Sequence, residues 1–79
     1  MYFVYILQCG DSSLYTGITT DVERRFEEHR NGTGAAYTRA KKAKEIVYTK
    51  KCRNRSTAQK REAAIKRLTR LEKLKLIHT

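Results

Sequence analysis

The sequence predicts a small α+β domain, in which helices flank a three-stranded antiparallel sheet in the order β-β-α-β-α-α. Three observations predict this class: an apolar, strand-like run at the start of the chain, turn-forming residues directly after it, and later segments with helix-capping signatures. A chain of 79 residues has room for one small hydrophobic core, so we expect a single domain over residues 1–79.

The first two strands are predicted to form a hairpin. Tyr2–Gln8 is rich in aromatic and β-branched residues, the pattern of a central strand covered on both faces. Turn-forming residues follow at positions 10–13, and Leu14–Ile18 supplies the second strand after a connection of four or five residues. Gly17, inside that second strand, indicates either a bulge or a place where another group approaches the backbone closely.

A helix and a third strand are predicted next. Thr20 and Glu23 have the spacing of a capping box, which predicts a helix that ends before Asn31. Residues 31–43 contain two glycines and no clear period, so we expect a loop there. The third strand is predicted over Glu45–Cys52, whose polar positions indicate a more exposed place in the sheet.

Two further capping signatures, Ser56 with Gln59 and Thr69 with Glu72, predict two consecutive helices near the end of the chain. We expect these helices at about 57–67 and 70–77, with a single kinked helix as the alternative.

The charge distribution favours a polyanionic partner. The chain carries 18 Lys and Arg against 8 Asp and Glu, a net charge of +10. Residues 1–38 hold three basic and five acidic side chains, whereas residues 39–79 hold fifteen basic and three acidic ones. We therefore expect nucleic acid as the partner, with an acidic protein or a membrane surface as alternatives. The predicted contacts to nucleic acid are Arg39, Lys41, Lys42, Lys44, Lys60, Arg61, Lys66, Arg67 and Arg70.

Several other classes of protein are not expected. The longest apolar run, Met1–Leu7, is far shorter than the roughly 20 residues of a membrane-spanning helix, and it lacks the flanks of a secretion signal. Two cysteines without metal-ligand spacing fit a reduced, cytoplasmic setting and make a zinc site a poor alternative. The sequence leaves open whether a protein partner or a second copy of the chain takes part.

Three polar side chains fall on predicted apolar helix faces. His29 lies almost in line with the apolar residues of the first helix, and Arg25 lies one turn before it. Glu62 lies on the apolar face of the second helix, where a desolvated carboxylate requires a cation, either an arginine or a metal ion. Taken singly, each of the three is more often a structural residue than a functional one.

The spacing of two tyrosine motifs adds a functional interpretation. Tyr5 ends Phe3-Val4-Tyr5 and Tyr15 begins Tyr15-Thr16-Gly17, with Arg25, His29 and Glu62 following in order. This set resembles the GIY-YIG nuclease family over practically the whole chain, and it looks most like the small stand-alone members made of the nuclease domain alone. Phe3, Val4 and Thr16 depart from the motif letters. Ile18 stands where some members carry lysine, and Leu74 stands near the place of a frequent asparagine.

The resemblance implies a metal-dependent endonuclease that hydrolyses phosphodiester bonds in DNA through an activated water. Glu62 would be the sole protein ligand of one divalent ion, Mg²⁺ or Mn²⁺, and Arg25 would brace the scissile phosphate. Tyr5 is the preferred base, with Tyr15 orienting the phosphate or a water on the ion and His29 hydrogen-bonding a tyrosine or relaying the proton. We expect the cation and Arg25 to lower the pKa of the tyrosine base. The alternative is a nucleic-acid-binding module of the same fold with weak or no catalysis.

Overall fold

A computed structural model of the chain describes residues 1–34 and 36–78, without the side chains of residues 36, 37 and 39. The predicted α+β class with one antiparallel sheet is confirmed. Strands β1 to β3 span Tyr2–Cys9, Leu14–Thr19 and Ala43–Cys52, and helices α1 to α4 span Val22–Arg30, Ala36–Lys41, Arg55–Lys66 and Arg70–Ile77. Among the residues that the structure describes, none of the helices has both the length and the apolar character needed to cross a bilayer.

The first strand is the centre of the sheet, as its composition predicts. The strand order is β2-β1-β3, and β1 pairs antiparallel with both neighbours. The four residues 4–7 are all buried, because helices cover the sheet on both faces. The third strand lies at an edge and exposes Lys44, Lys50 and Lys51, a pattern that hinders pairing with other chains.

The two faces of β1 serve different purposes. Val4 and Ile6 point to one face, where they form the hydrophobic core together with Cys52, Ala58 and Ile65. Because side chains alternate along a strand, Tyr5 and Leu7 point to the opposite face. Tyr5 meets His29 of α1 there. The sheet thus separates an apolar core under α3 from a polar cluster under α1.

The capping residues of two helices differ from those predicted, whereas the predicted cap of a third helix is confirmed. Asp21, and not Thr20, caps α1 by accepting a hydrogen bond from the Arg24 amide. Asn54, and not Ser56, caps α3. In both cases the competing residue is also a good N-cap type, so composition alone does not choose between them. The capping box of Thr69 and Glu72 at the start of α4 is present as predicted.

The prediction of a loop over residues 31–43 is wrong in part, since α2 forms there. Tertiary contacts to the β1–β2 turn hold this short helix in place. The Gly10 amide donates to the carbonyl oxygens of Lys41 and Lys42, at 3.1 and 2.9 Å. Asp11 also pairs with the Lys41 ammonium at 3.0 Å. A six-residue helix has little stability of its own, so α2 depends on these contacts. The sequence therefore shows no helical periodicity there.

A buried hydroxyl in β2 gives a prediction for stability. Thr16 is 4% exposed, and its Oγ1 has no hydrogen-bond partner among the described residues. Because an unsatisfied buried polar group costs free energy, we expect Thr16→Val to raise the free energy of unfolding by about 1 kcal/mol. Urea denaturation of both proteins checks this, and a destabilised variant would mean that the hydroxyl has a partner, such as a buried water.

Candidate active site

Tyr5 forms the centre of the polar cluster. Its side chain is 2% exposed and lies across Gly17, its partner in the neighbouring strand. A Cβ atom at position 17 would lie only 2.5 Å from the Tyr5 hydroxyl oxygen and 2.7 Å from Cζ. Glycine is therefore required there because a phenol ring occupies the space, which is the close approach that the sequence indicated. The register shifts of the sheet lie between β1 and β3, not at Gly17.

His29 is held between Tyr5 and a threonine of α2. The Tyr5 hydroxyl lies 2.9 Å from His29 Nε2, and His29 Nδ1 lies 2.6 Å from Thr38 Oγ1. His29 is 1% exposed and Thr38 is fully buried. Burial, followed by the nearby charge of Arg25, lowers the pKa of His29. The imidazole is therefore neutral at neutral pH, with both ring nitrogens engaged.

Tyr15 forms the more open side of the cluster. Its ring centroid lies 6.4 Å from that of Tyr5 and 5.2 Å from the centre of the His29 ring. Unlike Tyr5, it retains part of its surface in solvent. The three rings therefore form one contiguous group, in which Tyr15 is the tyrosine nearer to an approaching ligand.

Arg25 faces the same phenol from α1. Its guanidinium donates a hydrogen bond to Glu28 Oε1 at 2.9 Å, and about a third of the side chain is exposed. The hydrogen bond to Glu28, together with the contact to the Tyr5 hydroxyl, raises the pKa of Arg25, so the charge is permanent. Arg25 thus presents donors both to the site and to solvent, the geometry of a group that receives an anion.

Glu62 approaches from α3 on the other side of the hairpin. Its side chain is 22% exposed and its Oε2 lies 3.4 Å from the Lys66 ammonium, one helical turn away. The cation that this carboxylate meets within the protein is the Lys66 ammonium, whereas an arginine or a metal ion was predicted. The negative charge of Glu62 is close enough to raise the pKa of Tyr5. The carboxylate therefore acts on the same phenol as Arg25 and His29.

Glu62 offers a single carboxylate to a hard divalent cation. Among residues 1–34 and 36–78, no three His, Cys, Asp or Glu side chains are grouped closely enough to bind one ion. A single half-buried carboxylate is compatible with Mg²⁺, which keeps several of its waters and often takes only one or two protein ligands. Glu62 is the residue that would hold such an ion, in exchange for its pairing with Lys66.

The pKa of Tyr5 lies above its ordinary value. Burial raises it to about 12, and the charges of Tyr15 and Glu62 add to this, while Arg25 acts in the opposite direction. Without a cation at Glu62, desolvation of the phenolate outweighs the single guanidinium, so the predicted lowering by the ion and Arg25 together stays a prediction. At neutral pH Tyr5 is a neutral phenol.

The predicted nucleic-acid contacts occupy different environments. Lys42, Lys44, Lys60, Arg67 and Arg70 are exposed. Lys41 pairs with Asp11, and Lys66 pairs with Glu62 beside the site. Arg61 is half-buried and donates to the Tyr48 hydroxyl at 2.8 Å, so part of its guanidinium joins α3 to the sheet. The side chain of Arg39 lies outside the described residues.

Sequence reasoning missed three neighbours of the site: Glu28, Gly34 and Thr38. Glu28 is three residues after Arg25, a spacing that signals an ion pair on a helix. Gly34 lies against the imidazole, because a Cβ there would collide with His29 Nδ1. Thr38 had no signal, since it lies in the segment predicted as a loop.

Together, the hairpin with its two tyrosines and the flanking helices place the chain in a family of nuclease-type domains. The family model of the GIY-YIG catalytic domain matches residues 1–75, and the chain belongs to the GIY-YIG family. GIY-YIG nuclease domains act on nucleic acid, in agreement with the charge of the chain.

Similar proteins are small members of the same family. The UPF0213 protein OB0043 of Oceanobacillus iheyensis is 51% identical over 76 residues, which cover 96% of this chain and 88% of that protein. The UPF0213 protein NP_0776A of Natronomonas pharaonis is 47% identical, with 96% and 89% covered. The solution structure of the UPF0213 protein BH0048 from Bacillus halodurans matches with a TM-score of 0.63 and 42% identity, covering 99% of this chain and 84% of that one.

The tight fit of Tyr5 over Gly17 gives a prediction. In Gly17→Ala the new methyl group must displace the phenol, which breaks its hydrogen bond to His29. We expect the free energy of unfolding to fall by about 1–3 kcal/mol, measured by urea denaturation. Gly10→Ala is the matched control, because its Cβ would meet the nearest atom, the Lys41 carbonyl oxygen, at 3.4 Å. Equal stability of the two variants would contradict the assigned packing.

Proposed function

We propose that the protein is a metal-dependent endonuclease that hydrolyses phosphodiester bonds in DNA. The observation that carries the proposal is that an imidazole and a guanidinium from α1 and a carboxylate from α3 all influence one phenol, that of Tyr5. A second phenol, Tyr15, lies beside them on the open side. Such a group offers a proton acceptor, a phosphate clamp and a ligand for a hard cation, which are the parts that phosphodiester hydrolysis requires.

Glu62 is proposed to hold one Mg²⁺ or Mn²⁺ ion, with water and substrate oxygens as the other ligands. When bound, the ion would compensate the carboxylate charge, lower the pKa of Tyr5 and stabilise negative charge on the phosphate. Lys66, which now pairs with Glu62, would then be available to a neighbouring phosphate.

Tyr5 is proposed as the base that receives a proton from the attacking water. A phenol with a pKa of about 12 must first give up its own proton, and His29 Nε2, 2.9 Å away, is the acceptor in place. Tyr15 reaches the solvent side and orients the phosphate. The neutral imidazole suits this relay, because a protonated one has no lone pair to offer.

Arg25 is proposed to brace the scissile phosphate. Its guanidinium has five donors in a planar fork, of which Glu28 and Tyr5 engage only some. The remaining donors suit the oxygens of a phosphate as negative charge accumulates on them. The exposed lysines and arginines of residues 39–79 supply further contacts to the phosphate backbone of the DNA, and such contacts give affinity without sequence preference.

A second candidate is a nucleic-acid-binding module of the same fold with little turnover. The specific observation in its favour is the raised pKa of Tyr5, together with Ile18 in the place where some family members carry lysine.

One experiment separates the two candidates. Purified protein is incubated with labelled single-stranded, duplex and branched DNA, in Mg²⁺, in Mn²⁺ and in a chelator. Cleavage in at least one form that stops in the chelator supports the nuclease. Salt-sensitive binding without cleavage in any metal supports the module. The absence of binding at low salt contradicts both and favours an acidic protein as the partner.

A further inference from the structure

The helix that the sequence did not predict contributes a buried hydroxyl to the site. Thr38 in α2 is fully buried, and its Oγ1 lies 2.6 Å from His29 Nδ1. The helix itself is fixed from the other side by the β1–β2 turn, through Gly10 and through Asp11 with Lys41. The position of Thr38 is therefore set by the same hairpin that carries Tyr5 and Tyr15.

The positions of the protons on Tyr5 and His29 follow from counting the hydrogen-bond donors and acceptors around them. Tyr5 is a neutral phenol buried to 2% exposure, so its hydroxyl proton needs a partner within the protein. The Arg25 guanidinium, which faces the same hydroxyl, can only donate. His29 Nε2, at 2.9 Å, is thus the acceptor for the Tyr5 proton. A neutral imidazole with a bare Nε2 carries its proton on Nδ1, and this proton points at Thr38.

We infer that Thr38 is a positioning residue, whose Oγ1 accepts the Nδ1 proton of His29 and thereby keeps His29 Nε2 bare to receive the proton of Tyr5. Gly34 supports this arrangement, because the absence of a side chain lets the chain lie directly on the Nδ1 edge of the ring. The opposite tautomer would place a proton on Nε2 facing the Tyr5 oxygen and would leave no route for the phenol proton. The catalytic consequence of this inference rests on the proposed nuclease function, whereas the tautomer itself does not.

The first test measures the tautomer of His29 directly and does not depend on DNA cleavage. Long-range ¹H–¹⁵N NMR of the histidine side chains distinguishes a protonated from an unprotonated ring nitrogen. In the wild-type protein at neutral pH we expect His29 to show a protonated Nδ1 and an unprotonated Nε2. Thr38→Val, which removes the acceptor at nearly constant volume, is expected to shift the population toward the Nε2–H form, and Thr38→Ser is expected to keep the wild-type pattern. An Nε2–H form in the wild-type protein overturns the inference, and so does an unchanged tautomer in a folded Thr38→Val variant.

The second test reads the consequence in the cleavage assay. We expect Thr38→Val to lower kcat by about 10-fold to 100-fold with little change in KM, since it acts through His29 and not on the substrate. Thr38→Ser should restore most of the rate. Thr57→Val, the same chemical change at an exposed threonine of α3, is the matched control and should change neither readout.

The outcomes of the two tests are distinguishable. If Thr38→Val fails to fold, the wild-type tautomer and the Thr38→Ser variant still decide the inference. If the wild-type protein cuts no DNA, the proposed function fails while the NMR result stands. If the protein cuts DNA but Thr38→Val and Thr38→Ser have the same kcat as the wild type, the positioning role is wrong.

Discussion

Glu62→Gln is expected to abolish metal-dependent cleavage while leaving DNA binding nearly intact. The substitution keeps the size of the side chain but removes the charge that would hold the cation, and the described residues contain no group of three His, Cys, Asp or Glu side chains that could bind the ion instead. Loss of a cation that stabilises several kcal/mol of transition-state charge corresponds to a decrease in rate of about 10³-fold. Initial rates over a titration of Mg²⁺, beside a mobility-shift titration at the same salt concentration, measure the two effects separately.

Glu45→Gln is the matched control for this prediction. Glu45 is an exposed carboxylate on β3, opposite Gln8, and its replacement makes the same change in net charge. It should leave the rate within about twofold of the wild type, since Glu45 lies opposite Gln8 and not opposite Tyr5 in the sheet. Normal cleavage by Glu62→Gln, or equal losses in the two variants, would show that the cation is bound elsewhere.

Arg25→Ala is expected to lower the rate of cleavage by about 10²-fold to 10³-fold, the usual effect of removing one preorganised donor to a developing oxyanion. Affinity should fall much less, because many other lysines and arginines would contact the phosphate backbone of the DNA. Arg25→Lys should recover only part of the rate, since an ammonium keeps the charge but lacks the planar fork. Single-turnover rates at saturating protein measure the chemical step apart from binding.

Arg24→Ala is the control, since Arg24 is the exposed neighbour on the same helix and carries the same charge. Its effect should be confined to a small loss of affinity. If Arg25→Ala and Arg24→Ala lose rate and affinity in equal proportion, Arg25 only attracts the nucleic acid and has no part in catalysis.

The places of the strands in the sheet could be predicted because the composition of each strand indicates whether it is central or at an edge. Tyr2–Cys9 has apolar residues on both faces and therefore lies between two other strands, whereas Ala43–Cys52 carries three exposed lysines and lies at an edge. The same local logic placed His29 on the buried face of α1. These features depend on a residue and its near neighbours in the chain, which the sequence shows directly.

The features that were missed depend on contacts between distant segments. The short helix α2 is stabilised by the hairpin turn, and its Thr38 meets His29 only because that turn holds it there. The raised pKa of Tyr5 likewise results from burial by other elements, which exceeds the effect of the nearby Arg25. Neither the contacts between α2 and the hairpin turn nor the burial of Tyr5 produces a recognisable pattern within one segment of the sequence.

The central claim is that a carboxylate able to bind a cation shares one pocket with the two phenols. A crystal of the protein soaked in Mn²⁺, measured where manganese scatters anomalously, tests it most directly. We predict one strong anomalous peak in contact with a Glu62 carboxylate oxygen, on the side that faces Tyr5, and no such peak in Glu62→Gln crystals. A peak that is absent from Glu62, or found only on exposed carboxylates such as Glu45, would contradict the account.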